Sequence, residues 1–117
     1  MAKKSKQARK REFNEKARKE IYYRDCMQCI FCRMEYRIEN TSWLDRELSG
    51  VMHYIPRSRN GLGIPQNGAL GCYYHHNMLD NGSQGVREEM LGLFREYLQN
   101  HYADWNEEDL VYRKWNF

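Results

Sequence analysis

Long apolar runs are missing from this chain. No stretch approaches the roughly 18 consecutive apolar residues of a membrane-spanning helix, so no membrane partner is expected. The positively charged N-terminus is followed by no apolar segment of the kind a secretory signal carries, and the expected location is the cytoplasm. Proline is reduced to Pro56 and Pro65, and residues 3–23 contain neither proline nor glycine. The four cysteines are too closely spaced, and too near histidines, to suggest a disulfide framework. They suggest metal ligation in a reducing compartment instead. The overall charge excess is small, +3, but unevenly spread: residues 1–24 hold ten Lys and Arg against three Glu (+7), the remainder nine against thirteen (−4).

What is present suits one small domain with one modest core. The chain has 117 residues, rich in aromatics (nine Tyr, three Trp, four Phe) yet 30% charged, a mix that gives a folded module with a large wetted surface. The charge asymmetry sets a basic arm (residues 1–23) apart from a roughly neutral domain, which is expected to comprise a core (24–82) and a C-terminal extension (83–117) packing on it. A cationic arm gains affinity for nucleic acid by counterion release, without sequence preference; equally, it can be a solubilising terminus. Helix formers dominate the arm, with Phe13, Ala17 and Ile21 at helical spacing, so the pattern predicts a helix over residues 8–23. Its polar face would present Arg9, Lys10, Lys16 and Lys19.

The cysteines carry the clearest signal. Cys26, Cys29 and Cys32 form two overlapping C-x-x-C pairs, and Cys72-Tyr73-Tyr74-His75 repeats the gap as C-x-x-H. A two-residue gap lets a knuckle turn aim two ligands at one tetrahedral ion, so C-x-x-C with C-x-x-H is a four-ligand set for structural zinc. Cys29 and Cys32 are preferred over Cys26 because Ile30 and Phe31 between them can anchor the knuckle; Cys26 is then a leftover thiol. A redox pair is the alternative, without the βαβ context that such a pair expects.

Residues 33–50 follow neither strand nor helix period throughout. A short strand at 34–38 and a helical turn at 42–48, ended by Gly50, are expected, with Trp43 as a core anchor in preference to a base-stacking platform. Residues 51–55 alternate as a strand carrying His53, and Pro56 stops it. A loop with turn residues at Asn60, Gly61, Gly63 and Pro65 follows, long enough to suggest a function. Arg57 and Arg59 are its cations, able to hold a phosphodiester. A return strand at 68–71 and a short helix over 72–80 close the segment. On that helix His76 and Asp80 are spaced i, i+4 and can bind one ion together, while His75 lies about 100° round from His76. A helix over 84–101, capped by Ser83, and a short one over 106–114 complete the chain, with Trp105, Leu110, Tyr112 and Trp115 docking back.

His53, Asn67 and His76, framed by the cysteine pairs, carry a resemblance. The elements RDCMQCIFC, HYIPRSRNGLGIPQN and GCYYHHNMLDN resemble the HNH endonuclease family, in particular small HNH proteins of phages and prophages of Gram-positive bacteria. The resemblance implies an α+β fold in which two antiparallel strands and a helix grip a divalent ion (ββα-metal), here with a zinc knuckle pair and flanking helices. It implies hydrolysis of DNA phosphodiester bonds leaving 5′-phosphate and 3′-hydroxyl ends. By position, His53 is the general base, and His76 with Asp80 holds the catalytic Mg²⁺ or Mn²⁺. Asn67 either contacts that ion or pins the loop behind His53. Cys29, Cys32, Cys72 and His75 hold the structural zinc. Lys10, Lys16, Arg57 and Arg59 are the candidate phosphate contacts, and the family context adds phage packaging proteins as partners in a bacterial host. One departure stands out: many relatives place Asp or His immediately before the general base as a metal ligand, and here that residue is Met52. The rival reading is a zinc-stabilised DNA-binding module with weak or no catalysis.

Overall fold

The computed structural model describes residues 10–82 and 85–112. Its centre is a two-stranded antiparallel hairpin, β1 (Leu48–His53) and β2 (Gly68–Cys72), followed directly by a helix, Tyr73–Asn81. The register pairs His53 with Gly68 and Val51 with Leu70, and a bulge near Ser49 lies between the Leu48 and Gly50 pairings. Among the described residues, helical residues 10–11 and the helices α1 (Glu15–Arg24) and α2 (Ile30–Arg33) precede the hairpin; α3 is Tyr73–Asn81, and α4 (Arg87–His101) packs on it. A single 3₁₀ turn over Glu107–Leu110 brings the chain back to the loop between the strands, where Val111 bridges Gly61. This is a small mixed α/β architecture.

Period-2 alternation decides what β1 presents. Met52 is fully buried in the core with Ala69, Phe31, Phe94 and Leu98, and the flanking residues Val51 and His53 are only partly covered. α4 supplies its half of the core through Met90, Phe94 and Leu98, four residues apart on one face. A buried ion pair fastens α1 to this centre. Arg24 contacts Asp25 through Nε at 2.7 Å and Nη2 at 3.1 Å, and also donates to the carbonyls of Pro65 (2.8 Å) and Gly68 (2.6 Å). Asp25, completely buried, accepts from the Leu70 amide at 2.8 Å and from the Tyr97 hydroxyl. With its oxygens bonded from three elements, the buried carboxylate is compensated rather than stranded.

Several sequence expectations change. The first helix does not run unbroken to Tyr23: Asn14 caps α1, its side chain accepting from the Ala17 amide at 2.8 Å, so Phe13 falls outside the helix. Ala17 and Ile21 remain the buried stripe; the part of that expectation before residue 10 lies outside the described residues. No strand forms at 34–38, because Glu35 (φ 55°) and Arg37 (φ 48°) adopt left-handed backbone angles incompatible with extension. Residues 43–46 make a turn, and the strand expected over 51–55 runs instead from Leu48 to His53. Trp43 is not a core anchor, being 74% exposed. The last helix shortens to the 3₁₀ turn; Leu110 docks as expected and Trp105 packs on the core, donating from Nε1 to the Gln66 carbonyl at 2.8 Å. Ser83, Gln84 and Trp115 lie outside the described residues.

Candidate metal centre and the His53 site

The C-terminal end of β2, the start of α3 and the knuckle at α2 converge on four side chains: Cys29, Cys32, Cys72 and His75, whose ligand atoms all lie within 4.8 Å of one another. Cys29 is the residue before α2 and Cys72 the residue before α3, so each helix start turns one sulfur toward the other. Tetrahedral zinc with Zn–S bonds of ~2.3 Å and a Zn–N bond of ~2.05 Å sets S···S at about 3.8 Å and S···N at about 3.6 Å. The observed separations are 3.7 Å between Cys32 and Cys72 sulfurs, and 3.6 Å from His75 Nδ1 to each of Cys29 and Cys32. Cys72 sits closer to Nδ1, at 3.2 Å.

The tautomer fits as well. His75 Nε2 lies 2.6 Å from the Tyr36 carbonyl, which only an N–H can approach so closely, leaving Nδ1 with its lone pair toward the sulfurs. Without a cation the thiols cannot ionise together. Cys72 is drawn down to about 4, first by the Cys29 hydrogen bond and then by His75. Cys32 is pushed up to about 11 by burial and the Cys72 charge, and Cys29 upward chiefly by its hydrogen bond to Cys72. Three sulfurs and one imidazole, mostly buried, with the imidazole oriented from outside, form a potential metal site compatible with zinc. Cys26 is exposed and takes no part, as expected.

His53 occupies the other end of β1. Its Nε2 is 3.0 Å from the Arg11 carbonyl and its ring rests on Phe13, centroids 4.4 Å apart. Both partners belong to the segment ahead of α1, which lies across the loop between the strands. The Gly63 amide donates to the Lys10 carbonyl at 2.8 Å, and Arg11 Nη1 donates to the Arg57 carbonyl at 3.2 Å. Two glycines admit that segment: a Cβ on Gly63 would lie 2.1 Å from the Glu12 carbonyl, and one on Gly68 2.5 Å from the Phe13 ring. Because Nε2 donates to a carbonyl, the neutral imidazole carries its proton there and Nδ1 is the free base. Burial, with the Arg57 charge, lowers its pKa below the ordinary 6.5 despite the Arg11 hydrogen bond. His76 and Asp80 also act on it electrostatically.

His76 and Asp80 face each other across one turn of α3, Nε2 to Oδ2 3.3 Å. His76 Nδ1 is 2.6 Å from the Ser49 hydroxyl, which the bulge in β1 aims at it and which also reaches the Gly71 carbonyl at 3.2 Å. Two arrangements satisfy these contacts: Ser49 donates to Nδ1 and Nε2–H meets the Asp80 carboxylate, or Ser49 donates to Gly71 and accepts from Nδ1–H, which turns the Nε2 lone pair toward the carboxylate. The second arrangement is the one that accommodates a cation. Two ligands at right angles on an ion with ~2.1 Å bonds stand about 3.0 Å apart, close to the observed 3.3 Å. Two protein donors suit an ion that otherwise keeps water and phosphate oxygens.

Asn67 is fully buried and its amide is spoken for. Oδ1 accepts from the Ile55 amide at 2.8 Å, and Nδ2 donates to the carbonyls of Ile55 (3.1 Å) and Leu62 (2.8 Å). Of the two roles open to it, the geometry matches the loop pin, with both amide hydrogens and one oxygen lone pair engaged by the backbone of the loop. Met52 points into the core against Gly71, away from the side on which His53 stands. Among the expected phosphate contacts, Arg57 stands near His53 with Nη2 3.5 Å from Glu12. Lys10 lies over the Tyr112 ring at 5.3 Å, Lys16 is exposed on α1, and Arg59 lines a cleft with Tyr54 and Glu107. Sequence reasoning missed the Arg11 carbonyl, Ser49 and the Tyr36 carbonyl. Main-chain acceptors leave no trace in residue identity, and one serine in an unassigned segment carries no signal.

No protein-family model, no curated protein and no solved structure matches this chain.

Proposed function

We propose that the protein is a metal-dependent endonuclease of HNH type, hydrolysing DNA phosphodiester bonds in the cytoplasm of a bacterial host. The observation that carries this reading is the company, on one strand–strand–helix unit, of a histidine held by Nε2 with Nδ1 left to act as a base, and of a His76–Asp80 pair spaced to hold a cation and near enough to act on that histidine electrostatically. A structural module alone has no need of either. Zinc at Cys29, Cys32, Cys72 and His75 would fasten α2 to α3 and thereby hold His76 and Asp80 opposite β1.

In the reaction a water attacks phosphorus in line, and His53 Nδ1 takes its proton. Phe13 and the Arg11 carbonyl keep the ring from rotating, so the base meets the water in one orientation. A divalent ion at His76 and Asp80 would supply charge stabilisation to a phosphoryl oxygen and to the leaving 3′ oxygen. Arg57 adds positive charge from the loop, and the products carry a 5′-phosphate and a 3′-hydroxyl. The test is conversion of supercoiled plasmid in Mg²⁺ or Mn²⁺ by wild type, His53→Ala and His76→Ala, each with its zinc content and DNA affinity measured. Nicking by wild type and strong loss in both variants is expected; three proteins that bind DNA and behave alike would reduce the protein to a zinc-stabilised DNA-binding module.

A further inference from the structure

Away from His53, two exposed apolar side chains border the knuckle: Trp43 is 74% exposed and Met27 66%. A small core ordinarily takes in an indole, which buries more area than any other side chain. Here the turn is built to keep it out. The Ser42 amide and hydroxyl donate to Asp45 Oδ2 at 3.0 and 3.1 Å. The carbonyls of Glu47 and Asp45 accept from the first amides of α3, Tyr73 (2.9 Å) and Tyr74 (3.0 Å). Trp43 is therefore displayed from a braced turn, and ordering it costs little when something binds.

Between Trp43, Met27 and the metal-binding knuckle lies a cleft of about 310 Å³. That is the lower end of small-ligand sites. Both charged residues lining it, Arg33 and Arg46, are cationic. The Arg46 Nε is buried and, among the described residues, stands out as a side-chain nitrogen with no hydrogen-bond partner. That nitrogen is sealed from solvent, so an anion in the cleft would meet the Arg46 guanidinium through its outer nitrogens. Met27 also borders a wider groove, about 1250 Å³, that follows α1 past Tyr22 and Tyr23; Arg18 lines it, as do Lys19 and its ion-pair partner Glu15.

We infer that the cleft holds one unpaired nucleotide of a bound strand, its base against the Trp43 indole and its phosphate at Arg46, with the strand continuing along α1. An aromatic face exposed beside cations selects nucleic acid, and the stacking face is open only to a base released from its duplex neighbours. The inference rests on the nucleic-acid part of the proposed function and names a strand feature recognised some way from the cleavage site.

The test uses full-length, zinc-loaded His53→Ala protein without added Mg²⁺, so that binding is read without cleavage. Anisotropy is recorded with a labelled oligothymidylate of twelve nucleotides, an abasic strand of equal length and a blunt duplex. Adding Trp43→Ala should weaken oligothymidylate binding about tenfold and leave the abasic strand and duplex nearly unchanged; Arg46→Gln should weaken both single strands. Equal oligothymidylate affinity with and without Trp43 overturns the inference, as does an abasic strand bound as tightly as oligothymidylate. A Trp43-dependent shift in sedimentation without change in strand affinity assigns the face to a second copy instead. Strand binding through Trp43 by a wild type that never nicks plasmid contradicts the nuclease reading and supports the cleft. Nicking by wild type, with strand affinity indifferent to Trp43, contradicts the cleft alone.

Discussion

Replacing Asn67 by aspartate changes one NH₂ to one oxygen and separates the two roles that this position can play. As a metal ligand, a carboxylate would bind a divalent cation more tightly than an amide and raise activity at low Mg²⁺. As a loop pin, it fails. The Ile55 amide keeps its acceptor, but the carbonyls of Ile55 and Leu62, at 3.1 and 2.8 Å, lose their donor and face an anion. Keeping the new carboxyl neutral at pH 7 costs about 4 kcal/mol, roughly three pH units above its usual pKa. It would still leave one carbonyl unpaired, at about 1–2 kcal/mol. Ionised, it leaves two carbonyls unpaired and adds repulsion, a similar sum. The expected loss is about 4–6 kcal/mol against a total stability of about 5–15 kcal/mol for a domain of this kind. Urea unfolding at fixed zinc, alongside Mg²⁺ dependence of nicking, reads both quantities. A variant within about 1 kcal/mol of wild type that needs less Mg²⁺ would refute the loop-pin assignment.

Other consequences can be checked in parallel. Cys29→Ser should lose the metal and the fold together, because structural zinc contributes about 10–16 kcal/mol in small domains, as much as the whole net stability. Metal content by mass spectrometry and far-ultraviolet dichroism would show the two losses, and a zinc-free variant with wild-type dichroism would deny zinc a structural role. The acid limb of the pH–rate profile should fall below pH 6.5, since burial lowers the His53 pKa and the base stays neutral at more acid pH. The same shift makes the folded state bind fewer protons than the unfolded chain just below pH 6.5, so this residue's contribution to stability is present above that pH and is lost as pH falls through the depressed pKa. A limb at or above pH 7 would contradict both statements. Met52→Asp places an acid immediately before His53, but its side chain enters the core beneath Gly71. It should destabilise by about 4 kcal/mol or more without improving activity in Mg²⁺, measured by thermal unfolding and nicking.

How much of this was legible in the sequence follows from how local each cause is. Cysteine spacing fixes a ligand set by covalent geometry alone, so Cys29, Cys32, Cys72 and His75 could be read and Cys26 set aside. The hairpin and α3 were legible for a similar reason: Pro56 and Gly82 punctuate, and alternation and i, i+4 spacing lie between. The segment 33–47 was not, because its conformation is set by left-handed Glu35 and Arg37 and by carbonyls of Asp45 and Glu47 that cap α3 from a distance. Asn14 was overlooked amid strong helix formers, although an Asn followed by Glu is a cap signature. That single cap starts a new helix after a break at 12–14 and lets Phe13 and the Arg11 carbonyl reach His53, so part of the setting of His53 was hidden in one residue.

The most direct measurement is single-turnover nicking by His53→Ala with and without imidazole. The substitution removes a half-buried ring beneath Phe13, leaving space for a free imidazole to stand where the side chain stood. The predicted result is a rate reduced about 10²–10⁴-fold, partly restored by imidazole, with zinc content and DNA affinity unchanged. A variant that nicks at the wild-type rate under those conditions would contradict His53 as the base, and with it the account of this site as a nuclease.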